Sequence, residues 1–326
     1  MVLEKRKISN QGLYDALSDR IQELIIFPTE QCNFRCTYCY EDFSIGRMSD
    51  DVIKSIKNFI KNRSDNLDKL QLSWFGGEPL VAKDIVLEIS KYAFELAEKN
   101  NFSLEGNITT NGYNLTPKTF TNLTDFNINH YQISLDGPKD IHDSTRLRAD
   151  GKGTFDRIWQ NLLNIKKTNK DVSVIIRIHL DTEKVKMIDP LIEDIQREFI
   201  KDSRFSVFLK PIEKLGGKND EQLNVLSREQ RNSELYRIKK KLYGENFSEI
   251  DSEPSICYAS KPNSLIIRSD GKIGKCTVAL DDPRNSIGRI LSNGTVEINQ
   301  NLLSPWLRGF ENFDLNILGC PLQKLS

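Results

Sequence analysis

Short apolar runs at residues 24–27, 70–75, 104–109, 131–135, 172–180 and 205–209 alternate with longer stretches in which apolar residues recur every three to four positions. The runs have the length of buried strands, and the stretches between them read as helices with one apolar face. The clearest helix begins after Ser49, a good N-cap. Asp50 and Asp51 suit its positive end, and Val52, Ile53, Ile56, Phe59 and Ile60 form one stripe. Further helices are expected over 84–99, 117–123, 154–168 and 190–200. Alternation of this kind builds a parallel sheet from βα units. Six such units predict an α/β fold, a partial (β/α)6 barrel open on one side.

Beyond residue 212 the pattern changes. Residues 213–254 are charged and spotted with Gly and Asn, with a helix expected over 227–242, and they read as a bridge. Residues 264–268 and 272–277 flank Asp270-Gly271, the chemistry of a hairpin turn, and a second short hairpin surrounds Asn293-Gly294. The expected organisation is an N-terminal segment (1–20), the barrel (21–212), a helical bridge (213–254) and a small C-terminal β-hairpin and helix domain (255–326). No internal repeat, low-complexity segment or coiled coil is visible.

A chain of 326 residues can bury a full core. Its 46 Lys plus Arg balance 46 Asp plus Glu, which leaves no electrostatic footprint for nucleic acid or an anionic membrane. Residues 1–7 lack the apolar core of a signal peptide, and no run approaches the roughly 18 apolar residues of a spanning helix. The expectation is a cytoplasmic protein with no nucleic-acid or membrane partner. The six cysteines fall into two groups of three, which suits metal ligation in a reducing compartment better than a disulfide framework.

Cys32, Cys36 and Cys39 lie in the run Thr-Glu-Gln-Cys-Asn-Phe-Arg-Cys-Thr-Tyr-Cys-Tyr-Glu. Three thiolates so close can converge on three corners of an iron–sulfur cubane, leaving the remaining iron free for a ligand that is not protein. A structural zinc site would need a fourth ligand, and the nearest further cysteine is Cys257. A disulfide would leave one thiol odd. The C-x3-C-x2-C spacing, with Tyr38 before the last Cys, resembles the signature of the radical S-adenosylmethionine (radical SAM) superfamily. Phe75-Gly76-Gly77-Glu78-Pro79, Thr109-Thr110-Asn111-Gly112 and Ser134-Leu135-Asp136-Gly137-Pro138 then follow successive strands, in that family's own order. All sit at carboxyl ends of strands, where ligands gather in parallel sheets.

The resemblance implies a TIM-like partial barrel and a [4Fe–4S] cluster on Cys32, Cys36 and Cys39 that chelates S-adenosylmethionine through its amino and carboxylate groups. One-electron cleavage would give a 5′-deoxyadenosyl radical that takes hydrogen from a C–H bond. Tyr38 would lie beside the adenine or pack in the core. Gly76, Gly77 and Glu78 resemble the motif that meets the methionine amino group, the glycines letting backbone approach a ligand. Thr109, Asn111, Ser134 and Asp136 can bond ribose hydroxyls or the carboxylate, or merely cap a helix or turn. Arg146 suits the carboxylate through its bidentate fork, with Arg148 and Arg177 competing. His130, His142 and His179 are scattered and read as structural. Nothing in the spacing singles out a catalytic base.

In the second cysteine group, Cys257, thirteen residues, Gly271, four residues and Cys276 resemble the opening of the SPASM and twitch extensions of peptide-modifying radical SAM enzymes. Cys320, in Gly-Cys-Pro, would be a third ligand to one auxiliary iron–sulfur cluster, expected to be [4Fe–4S], with an open iron or a non-cysteine fourth ligand. The bland alternative is three unrelated buried thiols. No cysteine lies between Cys276 and Cys320, so a second auxiliary cluster is not expected and the extension is twitch-like. Residues 134–138, His142-Asp143, Arg146 and Gly153-Thr154-Phe155 resemble the branch holding anaerobic sulfatase maturases and maturases of ribosomally made peptides.

The function implied is a peptide maturase that forms an oxidative crosslink, a carbon–carbon cyclophane or a carbon–heteroatom bond, with the auxiliary cluster accepting the second electron. Alternatives are sulfatase-maturase-like Cys or Ser oxidation, peptide epimerisation, a small-molecule synthase resembling the molybdopterin-precursor enzyme, and a non-catalytic iron–sulfur protein. Implied partners are a ribosomal precursor peptide and a reductant such as flavodoxin or ferredoxin. A separate leader-recognition protein or a groove on the side of the barrel is also expected, since a barrel starting near residue 20 leaves no room for a fused leader-binding domain.

Overall fold

Each of the six apolar runs forms a strand, with bounds shifted by up to three residues: β1 (Ile21–Ile26), β2 (Lys69–Trp74), β3 (Ser103–Thr110), β4 (Ile128–Ser134), β5 (Ser173–Leu180) and β6 (Phe205–Pro211). The computed structural model describes residues 8–244 and 255–325; residues 1–7 and the last part of the expected bridge, 245–254, lie outside the described residues. The six strands pair in parallel and in sequence order, so the expected partial (β/α)6 arrangement is present. Ile26 faces Trp74, Trp74 faces Ile108, Ile108 faces Tyr131 and Tyr131 faces Val174. That row ends β1 and β2 but lies two, three and six residues before the ends of β3, β4 and β5, the stagger of a closing barrel, and the loops that follow the strands line one mouth.

The helices between the strands are α1 (Asp50–Arg63), α2 (Lys83–Asn100), α3 (Pro117–Thr124), α4 (Phe155–Lys166) and α5 (Asp189–Glu198). In α1 the Ser49 side chain accepts from the Val52 amide, and Ile53, Ile56, Phe59 and Ile60 are buried as the stripe predicts. Each such side chain contributes roughly 1.5–3 kcal/mol on burial. The bridge helix α6 (Arg228–Tyr243) starts with a capping box between Ser227 and Gln230. Five short helices, Asn10–Leu17, Lys139–Thr145, Lys184–Met187, Gln300–Leu307 and Leu315–Gly319, fall outside the expected spans because one or two turns carry too little periodicity to read.

The expected hairpins form β7 (Ser264–Ile267) with β8 (Lys272–Gly274), and β9 (Gly288–Ile290) with β10 (Val296–Ile298). β7 also pairs in parallel with β1, from Glu23 opposite Ser264 to Ile26 opposite Ile267. One ten-stranded sheet results, in the order β10-β9-β8-β7-β1-β2-β3-β4-β5-β6. The C-terminal segment thus extends the barrel's own sheet. Its second turn docks on α1, where Asn58 Nδ2 donates to Ser292 O and Asn62 Nδ2 to Asn293 O, both at 2.9 Å. Gly294 has φ +81°, and a Cβ there would lie 2.4 Å from the carbonyl carbon of Asn58. Gly294→Ala is expected to destabilise the protein by about 1–3 kcal/mol, measured as a lower urea midpoint at unchanged slope.

Candidate active site

Every strand of the barrel sends residues to one cavity at the mouth. Cys32, Cys36, Tyr38 and Cys39 come from the loop after β1, and Gly76, Gly77 and Glu78 from the loop after β2. Thr109, Thr110 and Asn111 close β3, Ser134 ends β4, Arg177 and His179 project from β5, Lys210 lies near the end of β6 and Glu213 follows it. Arg146 completes the wall through a short antiparallel ladder in which Phe34–Cys36 pairs with Arg146–Arg148, setting Cys36 opposite Arg146. The strand-end rule therefore extends to β5 and β6, where the sequence carried no motif.

The three thiols of this loop are half-buried. Burial pushes all of them up, Cys39 to about 12, and the charges of Glu78 on Cys32 and Glu41 on Cys39 add to the effect. Ionised thiolates here need a facing positive charge, which metal supplies. Among the described residues no three His, Cys, Asp or Glu side chains gather as a site for a single metal ion. Three thiols on one cavity wall, acting on one another's ionisation, fit a larger iron–sulfur group better than a single ion.

The Gly-Gly-Glu motif has a structural reason beyond ligand approach. Gly76 has φ +110°, and a Cβ would lie 2.4 Å from Thr29 O; at Gly77 it would lie 2.6 Å from both Glu30 O and Gln31 O. The glycines let this loop lie against the backbone that leads into the cysteines. Glu78 is buried, and its oxygens are taken up by the protein: Oε1 accepts from Leu80 N (2.9 Å) and Thr110 Oγ1 (2.7 Å), Oε2 from Asn111 N (2.7 Å). Burial outweighs these bonds and raises its carboxyl above the usual range. Asn111 Nδ2 donates to Asn33 Oδ1 at 2.8 Å, tying the third loop to the cysteine loop. Thr109 Oγ1 accepts from Gln132 at 3.3 Å.

Asp136 lies behind the wall. Its side chain is fully buried, off the cavity lining, and accepts from the Tyr38 hydroxyl, from His179 Nδ1 at 3.0 Å and from Lys184 Nζ at 3.4 Å, with Arg146 Nη1 at 4.0 Å. Burial alone would raise its carboxyl, but Lys184, His179 and Arg146 hold it well below the usual range. Lys184 also sits 4.6 Å over the Tyr38 ring. Tyr38 is therefore latched from beneath by a charged network that includes a residue, Lys184, which no sequence motif marked. Arg148 turns away to Tyr113 and Asp150, whereas Arg146 and Arg177 line the cavity with their Nε atoms unpartnered among the described residues. His130 is exposed. Glu41, unremarked in the sequence, also lines the cavity, and burial with the charge of Glu30 pushes its carboxyl up to about 8.

His142 accepts from Asp136 N at 3.2 Å and meets Thr154 Oγ1 at 3.0 Å; burial lowers both His142 and His179 to about 4. Between pH 6.5 and 4 the unfolded rings take protons that the folded ones refuse, so stability falls as pH falls through that window. The loss approaches about 3 kcal/mol per ring at the acid limit. Urea midpoints are expected to be lower at pH 5 than at pH 7.

The second triplet is also brought together. Cys257 N donates to Leu318 O at 2.8 Å, strapping it to the short helix that carries Cys320. Asn285 clasps the Cys276 loop: Oδ1 accepts from Lys275 N and Cys276 N, and Nδ2 donates to Cys276 O and Ala279 O, all within 2.9 Å. Burial raises Cys257 and Cys276, and the neighbouring thiols add to the shift of each. Tyr40, next to Cys39, donates to Thr277 O, next to Cys276, at 3.2 Å. A partly buried ion pair, Glu30 with Arg268, joins the same two regions.

Among curated proteins, the cysteine-type anaerobic sulfatase-maturating enzyme of Clostridium novyi (strain NT) is 25% identical over 324 residues, covering 91% of this chain and 84% of that enzyme. A GTP 3′,8-cyclase of Desulforamulus reducens is 28% identical over 154 residues, covering 46% of this chain and 44% of the cyclase. Native anSMEcpe, solved with bound AdoMet and Cp18Cys peptide, superimposes with a TM-score of 0.63 at 21% identity, over 83% of this chain and 77% of that one. Streptococcus suis SuiB bound to S-adenosylmethionine gives 0.58 at 18% identity, over 96% and 70%. At those identities the likeness carries the fold. The sequence model of the Radical SAM superfamily matches residues 26–195, the barrel from β1 into α5 with its cysteine triplet, and the chain belongs to that enzyme superfamily.

Proposed function

We propose that this radical SAM enzyme matures a ribosomally made peptide by an oxidative crosslink, with Cys32, Cys36 and Cys39 holding the superfamily's [4Fe–4S] cluster and Cys257, Cys276 and Cys320 an auxiliary one. Bound there, the clusters and S-adenosylmethionine would supply a 5′-deoxyadenosyl radical and a sink for a second electron. The chain's own residues do the aiming. Arg146 and Arg177 bring guanidinium groups to the cavity wall for the methionine carboxylate, and Ser134 offers its hydroxyl. Gly76 and Gly77 bring backbone to the cavity wall, while Asp136 and Lys184 fix Tyr38 beneath it.

The observation that carries the reading is the second thiol triplet, whose Cys276 loop is tied to the loop of the first by the Tyr40–Thr277 bond. Peptides bound to relatives of the same fold support a peptide substrate: anSMEcpe holds Cp18Cys, and SuiB was solved with its precursor peptide SuiA. Anaerobic reconstitution with iron counting tests the clusters. About eight irons in the wild type and about four in a Cys257/Cys276/Cys320→Ala variant are expected from two cubanes. Incubation with peptides encoded beside the gene tests the reaction, since a crosslink removes two hydrogens and no heavier atom. The likeness to the C. novyi enzyme favours a second reading, oxidation of a peptide cysteine, which would show as loss of the thiol sulfur.

A further inference from the structure

The inner face of the barrel is covered on one side and bare on the other. Toward β1 and β7, Ile25, Phe27 and Ile266 are buried against Phe75, Tyr258 and Leu280, so the chain's own loops close that side. β6 is the last strand of the sheet at the opposite side, and Lys210 near its end lines the cavity. Side chains two residues apart on a strand share a face, so Phe208 stands on the same inner face one step below Lys210, and it is 47% exposed. Ser206, a further step down, is exposed as well. Phe208 pairs in register with Arg177 of β5, which lines the cavity and carries its guanidinium carbon 5.9 Å from the centre of the ring. Ile175, two residues before Arg177 on that face, is half-buried and belongs to none of the buried apolar clusters among the described residues. Beside this apolar pair the face is polar, with Gln132 and Ser134 of β4 aligned with Ile175 and Arg177. A half-exposed phenylalanine on a convex surface is ordinary. On a concave face that runs into a cavity, a small apolar patch bordered by a few polar groups has the make-up of a ligand subsite. Its border asks for no charge, since Lys210 is ion-paired with Glu213 and Arg177 lies over the ring itself.

We propose that Phe208, with Ile175 beside it, is a specificity-determining ledge that receives a neutral, apolar side chain of the substrate next to the residue that reacts. The side chain enters over the free edge of β6, covers the exposed part of the Phe208 ring and stops below Arg177 and Lys210. Its seat on the ledge sets how far the neighbouring residue reaches into the cavity, and a charged or strongly polar side chain at that position is rejected because the ledge offers it no partner. That the side chain belongs to a peptide rests on the function proposed above; the ledge itself rests on the open face of β5 and β6.

Two measurements on the full-length, anaerobically reconstituted protein test the ledge. In ligand-observed saturation-transfer NMR the probes are N-acetyl-phenylalaninamide and its polar counterpart N-acetyl-serinamide. Wild type is expected to prefer the phenyl probe, and Phe208→Ser to bind it about tenfold more weakly, the effect of leaving half a ring's apolar area unburied. Phe208→Leu, which keeps an apolar side chain, stays within about threefold of wild type. Ile175→Thr keeps the β-branch and gives a smaller loss than Phe208→Ser, so the ledge is tested even where that variant misfolds. Equal binding of the two probes by wild type, or equal binding of the phenyl probe by wild type, Phe208→Ser and Ile175→Thr, overturns the ledge. In the second measurement an mRNA-displayed library of random peptides is selected on wild type and on Phe208→Ser. Enrichment of apolar residues at one position by wild type alone supports the proposal, and two pools with the same preferences overturn it. A library that yields no retained peptide, with the phenyl probe still bound through Phe208, overturns the peptide as occupant and leaves the ledge to a small apolar substrate.

Discussion

Cys36→Ala is expected to bring release of 5′-deoxyadenosine under dithionite below detection, while the protein stays folded and keeps the iron of its second triplet. Cys36 is the middle thiol of the first group and pairs with Arg146 in the short ladder that closes the cavity. Its side chain is only partly buried, so truncation removes little apolar contact and should cost less than about 1.5 kcal/mol of stability. The chemical loss is of another order. Disturbing a residue that merely supports a metal ligand costs about 10–100-fold in affinity or activity, and removing a ligand from a three-thiol site leaves too few protein bonds to hold a cubane in place. The checks are chromatography of deoxyadenosine, iron counting and thermal unfolding on one preparation. Release at the wild-type rate would mean that the triplet does not hold the reactive cluster. Loss of stability together with release would mean that Cys36 serves the fold first.

The barrel was legible because buried parallel strands are written as near-continuous apolar runs and their helices as single stripes. The motifs at strand ends were legible for the same reason, since the topology sends every such loop to one mouth. What the sequence did not show is which group pairs with which across long separations. The parallel pairing of β7 with β1 joins residues some 240 positions apart, and nothing local in Ser264–Ile267 distinguishes an added sheet strand from one arm of a separate hairpin. Asn285 and Lys184 carry no motif; their roles arise from loops that meet only in the folded chain. Gly76 and Gly77 were legible as points of close approach, but the sequence suggested a ligand where the structure also places the chain's own carbonyls. Asp136 was legible as a strand-end carboxylate. Its depth behind the lining was not, because that depth depends on Lys184 and His179 arriving from the far end of β5.

Asp136→Ala is accordingly expected to cost about 3–5 kcal/mol of stability, the usual result of removing one partner from a buried charged group. The variant leaves Lys184, 2% exposed at its side chain, with only the more distant Asp181 at 4.0 Å, and Arg146, 7% exposed, on the other side of Tyr38. Repulsion then replaces attraction, and neither side chain can reach water without breaking the wall. Asp136→Asn keeps the shape and one acceptor oxygen, so its cost should be smaller and its main effect electrostatic. A Lys184→Met change made in the Asp136→Ala background should be less harmful than in the wild type, because it removes a buried cation that has lost its nearer carboxylate; coupling of about 1–3 kcal/mol is expected from the double-mutant cycle. Asp136→Ala removes the acceptor of the Tyr38 hydroxyl and the other variants weaken the network around it, so deoxyadenosine release by the folded fraction should drop by about 10–100-fold in Asp136→Ala and by less in Asp136→Asn and Lys184→Met. Binding of S-adenosylmethionine, measured by equilibrium dialysis, separates the two roles open to this carboxylate. A residue that acts through Tyr38 weakens binding in step with stability across Asp136→Asn, Asp136→Ala and Lys184→Met. A residue that touches the cofactor would lose binding in Asp136→Asn while the urea midpoint stayed where it was, and that outcome would bring Asp136 back to the cavity face that its motif suggested.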